Sequence, residues 1–224
     1  MIDLYTWTTP NGRKISIALE EMGLPYTVHP VNLQKGEQHS PEFAKISPNE
    51  KIPAIVDRDE GITLMESGAI LIYLAEKSGK FLPTETRARF EVLQWLMWQM
   101  GGFGPMLGQA HQFLKYNPGV SEFAEKRYGD EAKRLYGVLD RRLAESPYVG
   151  GSELSIADFA TWPWASRFEY QRIDLTAYSN VCRWYHELAD RPAFRRGYDV
   201  PHFVHEIPRP GCTLASAPTA NSAG

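Results

Sequence analysis

Short runs of branched and aromatic residues alternate with helical spacing in the N-terminal part of the chain. Strand-like runs cover residues 2–6, 26–33, 54–56 and 62–65. Apolar residues recur at helical spacing after the first run and stop at Gly23, a typical end of a helix. A polar turn at 57–61 joins the last two strands into a hairpin, and a helix from Ser67 to about Lys77 follows it. The strand–helix–strand order predicts a right-handed crossover and a parallel strand pair.

The hydrophobic pattern becomes wholly helical after a linker at residues 79–83. A long helix is predicted from Thr84, with a kink or an end at Pro105. Another helix follows at about 121–145, and a capping box at Ser155 and Asp158 starts a third. We therefore predict a βαβ–ββα domain, an all-α domain and a small polar tail without a core. Their predicted bounds are 1–78, 84–205 and 206–224.

Composition places the chain among soluble globular proteins. Apolar residues make up 43% and charged residues 23% of the 224 residues, which is enough to bury a core. The net charge of −3 and the lack of a basic tract argue against nucleic acid as a partner. No apolar run is long enough to cross a bilayer, so we expect no membrane partner.

Cysteine and histidine usage indicates neither a disulfide framework nor a metal site. Two cysteines cannot make a framework, and Cys182, in an apolar helix, is predicted to be a buried inert thiol. Cys212, near the tail, could be exposed and oxidisable. None of the six histidines has zinc-binding spacing, so we predict no metal. Because the chain begins with strand-like sequence at Met1 and not with a signal sequence, we expect a reducing, cytoplasmic location.

A candidate binding site lies where the third strand and the last helix of the first domain begin. Pro53 stands at the first position of the strand, where its missing N–H breaks no ladder. Ile52 before it offers a free backbone edge, and Ser67 opens a helix whose N–H groups attract anions. Either Glu66 or Ser67 is placed to cap that helix. A small extended peptide that carries a carboxylate would fit both features.

These residues resemble a known family. A βαβ–ββα unit with Ile-Pro before its third strand and Glu-Ser opening its last helix resembles the glutathione-binding, thioredoxin-like domain of glutathione transferases. The helical half, with its capping box at Ser155, resembles their C-terminal domain. Residues 8–12, 46–55 and 95–109 resemble the bacterial Nu-class enzymes, which act as glutathione-dependent disulfide-bond reductases.

The resemblance implies that the reactive sulfur is supplied by glutathione. Thioredoxins carry two cysteines in the loop before the first helix, and the loop at residues 8–11 here has none. We assign the Thr9 hydroxyl and the Asn11 side-chain or backbone N–H as hydrogen-bond donors to the glutathione sulfur. The alternative is that Asn11 only caps the helix and Thr9 is a turn residue. Tyr5 and Ser16 are assigned to packing.

The rest of the tripeptide is placed by charge. The Ile52 backbone would pair with the cysteinyl residue as an added strand, exposed by a cis bond to Pro53. Ser67 suits the γ-glutamyl carboxylate and Glu66 the ammonium group beside it, unless both only cap the helix. The candidates for the glycyl carboxylate are Lys51 and Gln38.

Two residues of the helical domain enter through the resemblance alone. Arg127 would reach toward the sulfur and help to hold a second glutathione or a disulfide substrate. Judged from the sequence alone, it is a surface residue of an amphipathic helix. The family also implies a two-fold homodimer, in which Gln99 would reach the γ-glutamyl group bound by the neighbouring subunit.

Three functions remain open at this point. The first is a glutathione-dependent disulfide-bond oxidoreductase that reduces a small-molecule disulfide. Glutathione is then the cosubstrate, and each site would hold two glutathione molecules or one oxidised glutathione. The second is a glutathione transferase in which the same thiolate attacks an electrophile. The third is a non-catalytic glutathione-binding protein. The candidate site at Asn11, Ile52–Pro53 and Glu66–Ser67 favours an enzyme.

Overall fold

The computed structural model describes residues 1–212. They form two compact units, one of Met1–Leu82 with Asp190–Ile207, and one of Pro83–Ala189 with the segment that begins at Pro208. The sequence assigned residues 190–205 to the helical domain, whereas their contacts lie within the first unit. Of the predicted tail at 206–224, residues 206–212 are described and the rest lies outside the described residues.

The first unit contains a four-stranded mixed sheet in the order β2-β1-β3-β4. Its strands are β1 (Ile2–Thr6), β2 (Tyr26–Pro30), β3 (Ala54–Asp57) and β4 (Ile62–Met65). The predicted parallel pair, β1 with β2, is confirmed, and the other two pairings are antiparallel. Strand β2 ends at Pro30, earlier than predicted, and 3₁₀ turns follow at Leu33–Lys35 and Glu37–His39. The Asn32 side chain caps the first of these turns by accepting from Gln34 N and Lys35 N.

The α-helices of the described chain are α1 (Pro10–Met22), α2 (Pro41–Ile46), α3 (Ser67–Ser78), α4 (Thr86–Trp98), α5 (Gly104–Ala110), α6 (Glu122–Glu145), α7 (Ile156–Ala165), α8 (Ser179–Ala189) and α9 (Pro192–Tyr198). No helix in residues 1–212 is both long and apolar enough to span a bilayer.

Helix α1 is fixed firmly within the first unit. Gly197 of α9 packs so closely that a Cβ atom there would lie 2.6 Å from the Ile17 backbone. Ser16 Oγ donates to the Gly197 carbonyl at 2.6 Å, and Arg13 Nε donates to the Tyr198 carbonyl at 3.0 Å. These contacts confirm that Ser16 packs, and they hold the N-terminus of α1 in place.

A continuous helical stretch crosses Pro105 in the second unit. A π-helical segment, Gln99–Phe103, joins α4 to α5, and a second one, His111–Tyr116, follows α5. The backbone keeps right-handed helical dihedrals at Gln99, Gly104 and His111. The wider π turn accommodates the missing N–H of proline, so the backbone remains helical where the sequence predicts a kink or an end.

The predicted capping box at the start of α7 is confirmed. The Asp158 carboxylate accepts from Ser155 N, Ser155 Oγ and Val149 N, at 3.0, 3.0 and 2.8 Å. Trp184 Nε1 donates to it at 2.9 Å. This buried carboxylate therefore ties α7 to α8 and to the chain before α7.

The two cysteines do not behave as the sequence predicts. Cys182 of α8 is buried, as expected, but it is bonded to Cys212 and is not an inert free thiol. The sequence separation of 30 residues gives no local signal for this pairing.

Candidate active site

The N-terminus of α1 presents Thr9 and Asn11. Thr9 is the N-cap, and its Oγ1 accepts a hydrogen bond from Gly12 N at 3.1 Å. A hydroxyl that accepts in this way can still donate its own hydrogen. Asn11 follows within the first turn, so the capping role that the sequence left open for it belongs to Thr9. Both side chains lie at the positive end of the helix dipole.

Gly12 lets the loop before α1 lie close to the first helical turn. A Cβ atom at this position would stand 2.2 Å from the Trp7 carbonyl and 2.5 Å from Thr6 Oγ1. The same carbonyl accepts from Thr9 N at 2.7 Å. The loop is therefore tight, and it holds Thr9 in its capping geometry.

The backbone at Ile52 extends past the end of the sheet. The pairing of β3 starts at Ala54, which stands opposite Tyr5 on β1 and Met65 on β4. The Ile52–Pro53 peptide bond is cis, as the sequence analysis anticipated. The Ile52 side chain is buried in a cluster with Val31 and Phe43. Its main chain thus projects beyond the last paired residue on either side.

Glu66 and Ser67 begin α3, with Glu66 at the N-cap position. Glu66 has a φ of 69°, in the left-handed region that residues with a Cβ rarely adopt, and makes no side-chain capping bond. Such backbone strain occurs preferentially where a ligand is held. The Ser67 hydroxyl accepts instead from Lys14 Nζ at 3.2 Å. The Glu66 side chain is therefore not the cap of α3.

Lys14 is a residue of this region that sequence reasoning missed. Its side chain is 1% exposed on α1, directly behind Ser67. Burial lowers the pKa of Lys14 to about 7, an effect that the negative charge of Glu66 partly opposes. Lys14 lies three residues after Asn11, on the same helix face, and the local sequence carries no signal for its burial.

The strand order brings these pieces to one end of the sheet. The C-terminus of β1 leads into the loop at Thr9, and the start of β3 lies beside it in antiparallel register. The C-terminus of β4, opposite Ala54, leads into Ser67. The first helical turn, the Ile52 backbone and the start of α3 therefore share one edge.

The polar residues proposed for the other end of a peptide lie on a neighbouring loop. Lys51 is exposed, and its carbonyl accepts from Ser47 Oγ at 2.8 Å. Gln38 Nε2 lies 2.9 Å from His39 Nε2, while Gln38 Oε1 is buried without a hydrogen-bond partner in the described structure. Rotating the Gln38 amide by half a turn would put its NH₂ group at the position now held by Oε1, and the oxygen would then accept from His39 Nε2.

Arg127 lies on α6 in the second unit and lines a groove of about 580 Å³. Its cationic neighbours are engaged, because Lys126 pairs with Asp130 and Arg134 with Glu131. Arg127 itself has no ion pair among residues 1–212, which leaves its guanidinium available to an anion.

Gln99 is fully buried in the second unit. Its Nε2 lies so close to Gly104 that a Cβ atom there would approach it to 2.7 Å. A buried amide cannot extend to a neighbouring subunit, so the role implied by the resemblance does not fit this position.

Tyr5 packs inside the first unit, as predicted. Its ring stacks on His29 at a centroid distance of 4.7 Å and lies 6.2 Å from Phe43.

Comparison with known proteins identifies the family. The model of the glutathione S-transferase N-terminal domain matches residues 1–76, and that of the C-terminal domain matches residues 122–187. The chain belongs to the glutathione transferase family. The predicted architecture, a thioredoxin-like domain followed by an all-α domain, is thereby confirmed.

Two similar proteins of this family come from Escherichia coli K12. The disulfide-bond oxidoreductase YfcG is 54% identical over 198 residues, covering 86% of this chain and 92% of YfcG. The disulfide-bond oxidoreductase YghU is 40% identical over 212 residues, covering 88% of this chain and 73% of YghU. These relatives bear out the resemblance to glutathione-dependent disulfide-bond reductases.

Solved structures of relatives contain glutathione. A glutathione transferase from Burkholderia graminis holds two glutathione molecules per subunit; it is 43% identical with a TM-score of 0.85, covering 89% of this chain and 88% of that chain. One from Pseudomonas putida holds one glutathione disulfide per subunit; it is 44% identical with a TM-score of 0.84, covering 89% of this chain and 91% of that chain.

Proposed function

We propose that this protein is a glutathione-dependent disulfide-bond oxidoreductase. The proposal rests on one observation: three features lie at the same edge of the sheet. They are the cysteine-free N-terminus of α1, the projecting backbone of Ile52 and the start of α3 at Ser67. A tripeptide bound along this edge would bring its own sulfur to Thr9 and Asn11. The names of YfcG and YghU, both disulfide-bond oxidoreductases, agree with this chemistry.

The Thr9 hydroxyl and Asn11 activate the glutathione thiol in this proposal. A thiol of pKa about 8.5 is only a few per cent ionised at neutral pH. Two donors and the helix dipole that together lower the pKa by about two units supply roughly 2.7 kcal/mol and make the thiolate the major form. Because Thr9 already accepts from Gly12 N, its own hydrogen is directed away from the helix.

The reaction is two successive thiol–disulfide exchanges. The bound glutathione thiolate attacks one sulfur of the substrate disulfide, and the other sulfur leaves as a thiolate that takes up a proton. A second glutathione thiolate attacks the glutathionyl sulfur of the mixed disulfide. That step releases oxidised glutathione and the second substrate thiol, so two glutathione molecules are oxidised for each disulfide reduced.

The γ-glutamyl end is assigned to the start of α3. The Ser67 hydroxyl and the N–H groups of this helix end receive the carboxylate, and Glu66 receives the ammonium group. Lys14 supports this assignment, because a buried ammonium 3.2 Å behind Ser67 makes the pocket more favourable for an anion. The left-handed backbone at Glu66 fits a residue held for ligand contact.

Two further groups complete the proposed assignment. The glycyl carboxylate is received by Gln38 and the exposed Lys51, while Pro53 fixes the chain beyond Ile52. Arg127, a cation without an ion-pair partner in the described chain, helps to hold the second glutathione or the disulfide substrate. Gln99 has no part in the proposal.

One assay separates this activity from its alternatives. The protein is supplied with glutathione and a small model disulfide, and separately with glutathione and a chlorinated nitroaromatic. Rapid turnover of the disulfide alone is expected. Turnover of the nitroaromatic alone would make the protein a conjugating transferase that acts on electrophiles. Turnover of neither, with glutathione bound, would make it a binding protein.

We also propose a homodimer in the cytoplasm. Helix α4 exposes Phe90 by 63% and Met97 by 52%, seven residues apart and hence on one face. Paired apolar side chains of this kind fit a partner surface. Sedimentation should give the mass of two chains for the native protein and that of one chain for Phe90→Glu/Met97→Glu. A single-chain mass for the native protein would overturn the dimer. Cell fractionation tests the location.

A further inference from the structure

The Cys182–Cys212 disulfide lies in the second unit and involves none of the residues assigned above to glutathione. Its Cα atoms are 6.4 Å apart, a normal separation for a disulfide. Cys182 on α8 is fully buried, whereas Cys212 is partly exposed. Of the two residues, Cys212 is therefore the one that an incoming thiol can approach from solvent.

The segment that carries Cys212 is held on α8 by contacts other than the disulfide. Tyr185 donates its hydroxyl hydrogen to the Pro208 carbonyl at 2.8 Å, and His186 Nε2 lies 3.1 Å from the Pro210 carbonyl. Pro210 is itself buried. After reduction, these contacts keep the two sulfurs near each other, so the bond can form again without a search by a loose chain end.

His186 completes the local chemistry. It is four residues after Cys182, on the same face of α8, and one of its ring nitrogens lies within 4.8 Å of both sulfurs. At this distance an imidazole exchanges a proton with a sulfur only through a bridging water. Its Nε2 also lies 3.1 Å from the Pro210 carbonyl, so the ring is held beside the disulfide. The same three side chains could hold a metal ion only with both cysteines as thiolates, and here they are oxidised.

We infer that Cys182 and Cys212 form a second thiol–disulfide exchange site, at which glutathione bonds transiently to Cys212. The glutathione thiolate attacks Cys212 Sγ, the bond to Cys182 breaks, and Cys182 leaves as a thiolate that is protonated. A second glutathione attacks the glutathionyl sulfur, releasing oxidised glutathione and the Cys212 thiol. The reverse sequence reoxidises the pair and consumes oxidised glutathione.

The proposed cytoplasmic location makes reversibility the expected property of this bond. Disulfides in cytosolic proteins are usually transient, catalytic or redox-sensing and seldom structural. The exchange itself needs no residue from the first unit, so it stands whether or not the protein turns over substrate disulfides.

The test is a redox titration of the full chain. The protein is equilibrated with mixtures of reduced and oxidised glutathione, quenched with a maleimide, and analysed by peptide mass spectrometry. The expected result is a disulfide in mixtures rich in oxidised glutathione and two labelled thiols in mixtures rich in reduced glutathione. A labelling state that stays the same over the whole range would overturn the inference.

Single substitutions locate the mixed disulfide. Cys182→Ala, incubated with oxidised glutathione, should carry one glutathionyl group on Cys212. Cys212→Ser, treated identically, should carry none on the buried Cys182. Modification of Cys182 in the second variant, or none in the first, would contradict the inference. Binding of S-methylglutathione and circular dichroism show that each variant is folded.

An activity-site variant keeps this result distinct from the proposed function. Asn11→Ala should leave the mid-point of the Cys182–Cys212 titration unchanged even if disulfide turnover is lost. If the native protein shows no turnover but the titration behaves as expected, the exchange site stands and the proposed enzyme activity fails. If the native protein turns over disulfides but the titration is flat, the proposed enzyme activity stands and the exchange site fails.

Discussion

Lys14 Nζ lies 3.2 Å from Ser67 Oγ, with the lysine side chain 1% exposed and the serine 4% exposed. A cation is therefore placed behind the hydroxyl that is proposed to receive the γ-glutamyl carboxylate. The desolvation of this ammonium is unfavourable in the free protein, and an incoming carboxylate offsets it.

Lys14→Met should weaken glutathione binding by about tenfold, or about 1.4 kcal/mol, because the carboxylate loses a nearby buried charge. Isothermal titration calorimetry with S-methylglutathione measures the affinity. The matched control is Lys45→Met, which removes an exposed lysine of α2 in the same unit and should leave the affinity unchanged. Equal affinities for the native protein and Lys14→Met would remove Lys14 from the site.

Ligand binding should also be linked to a proton at Lys14. Its pKa of about 7 in the free protein means that much of the side chain is neutral above neutral pH. A bound carboxylate favours the ammonium form and raises that pKa, so binding takes up a proton and weakens as the pH rises above 7. Calorimetry in buffers of different ionisation enthalpy measures this uptake.

S-methylglutathione is the ligand for that experiment because it has no thiol to lose a proton. Lys14→Met should abolish the uptake in the window from pH 7 to 8. Persistence of the full uptake in this variant would assign the proton to another group.

Thr9 and Asn11 should affect turnover more than affinity. Asn11→Ala should lower disulfide turnover by up to about threefold if the pKa of the bound thiol rises by one unit, because the thiolate fraction at pH 7 then falls from about three quarters to about one quarter. Glutathione affinity should change much less. Thr9→Val should act similarly and also lose about 1 kcal/mol of stability, because the N-cap is removed. Thr9→Ser keeps both hydroxyl functions and serves as the control. Equal losses of turnover and affinity in Asn11→Ala would make it a binding group only.

The capping box predicts a strong effect on stability. Asp158→Asn should lower the free energy of unfolding by about 2–4 kcal/mol, because an amide cannot accept all the hydrogen bonds that now reach the carboxylate. Chemical denaturation measures the change. Glu153→Gln, an exposed neighbour, is the control and should change little.

The same residue gives the stability a pH dependence. Burial raises the pKa of Asp158 from 3.8 to about 6, against the lowering effect of its hydrogen bonds. Between pH 3.8 and about pH 6, the Asp158 carboxyl therefore holds a proton in the folded protein and has lost it in the unfolded chain. The stability that this bound proton contributes is complete below pH 3.8 and is lost as the pH rises through about 6. Native protein should lose stability over this window relative to Asp158→Asn; a constant difference would contradict the assignment.

Much of the fold follows from local sequence. The β4 strand, the first turn of α3 and the capping box at Ser155 each depend on residues within one or two turns of one another, and the sequence located all three. The site edge was predictable for the same reason, because strand ends and helix starts at Ile52 and Ser67 have local signals.

The parts that the sequence did not predict depend on distant contacts. Lys14 and Ser67 are 53 residues apart, and Cys182 and Cys212 are separated by 30. A lysine buried by tertiary packing has the same local sequence as an exposed one, and two cysteines alone do not reveal whether they meet. The helical path across Pro105 likewise depends on a π segment that hydrophobic periodicity does not encode.

The central claim is that glutathione supplies the reactive sulfur and that the chain contributes none. The most direct measurement is glutathione-dependent reduction of a model disulfide by Cys182→Ala/Cys212→Ser, whose S-methylglutathione affinity confirms that it is folded. Both cysteines of the chain are then absent. Turnover within about twofold of the native rate is the expected result. Loss of turnover in a folded, glutathione-binding variant would contradict the account.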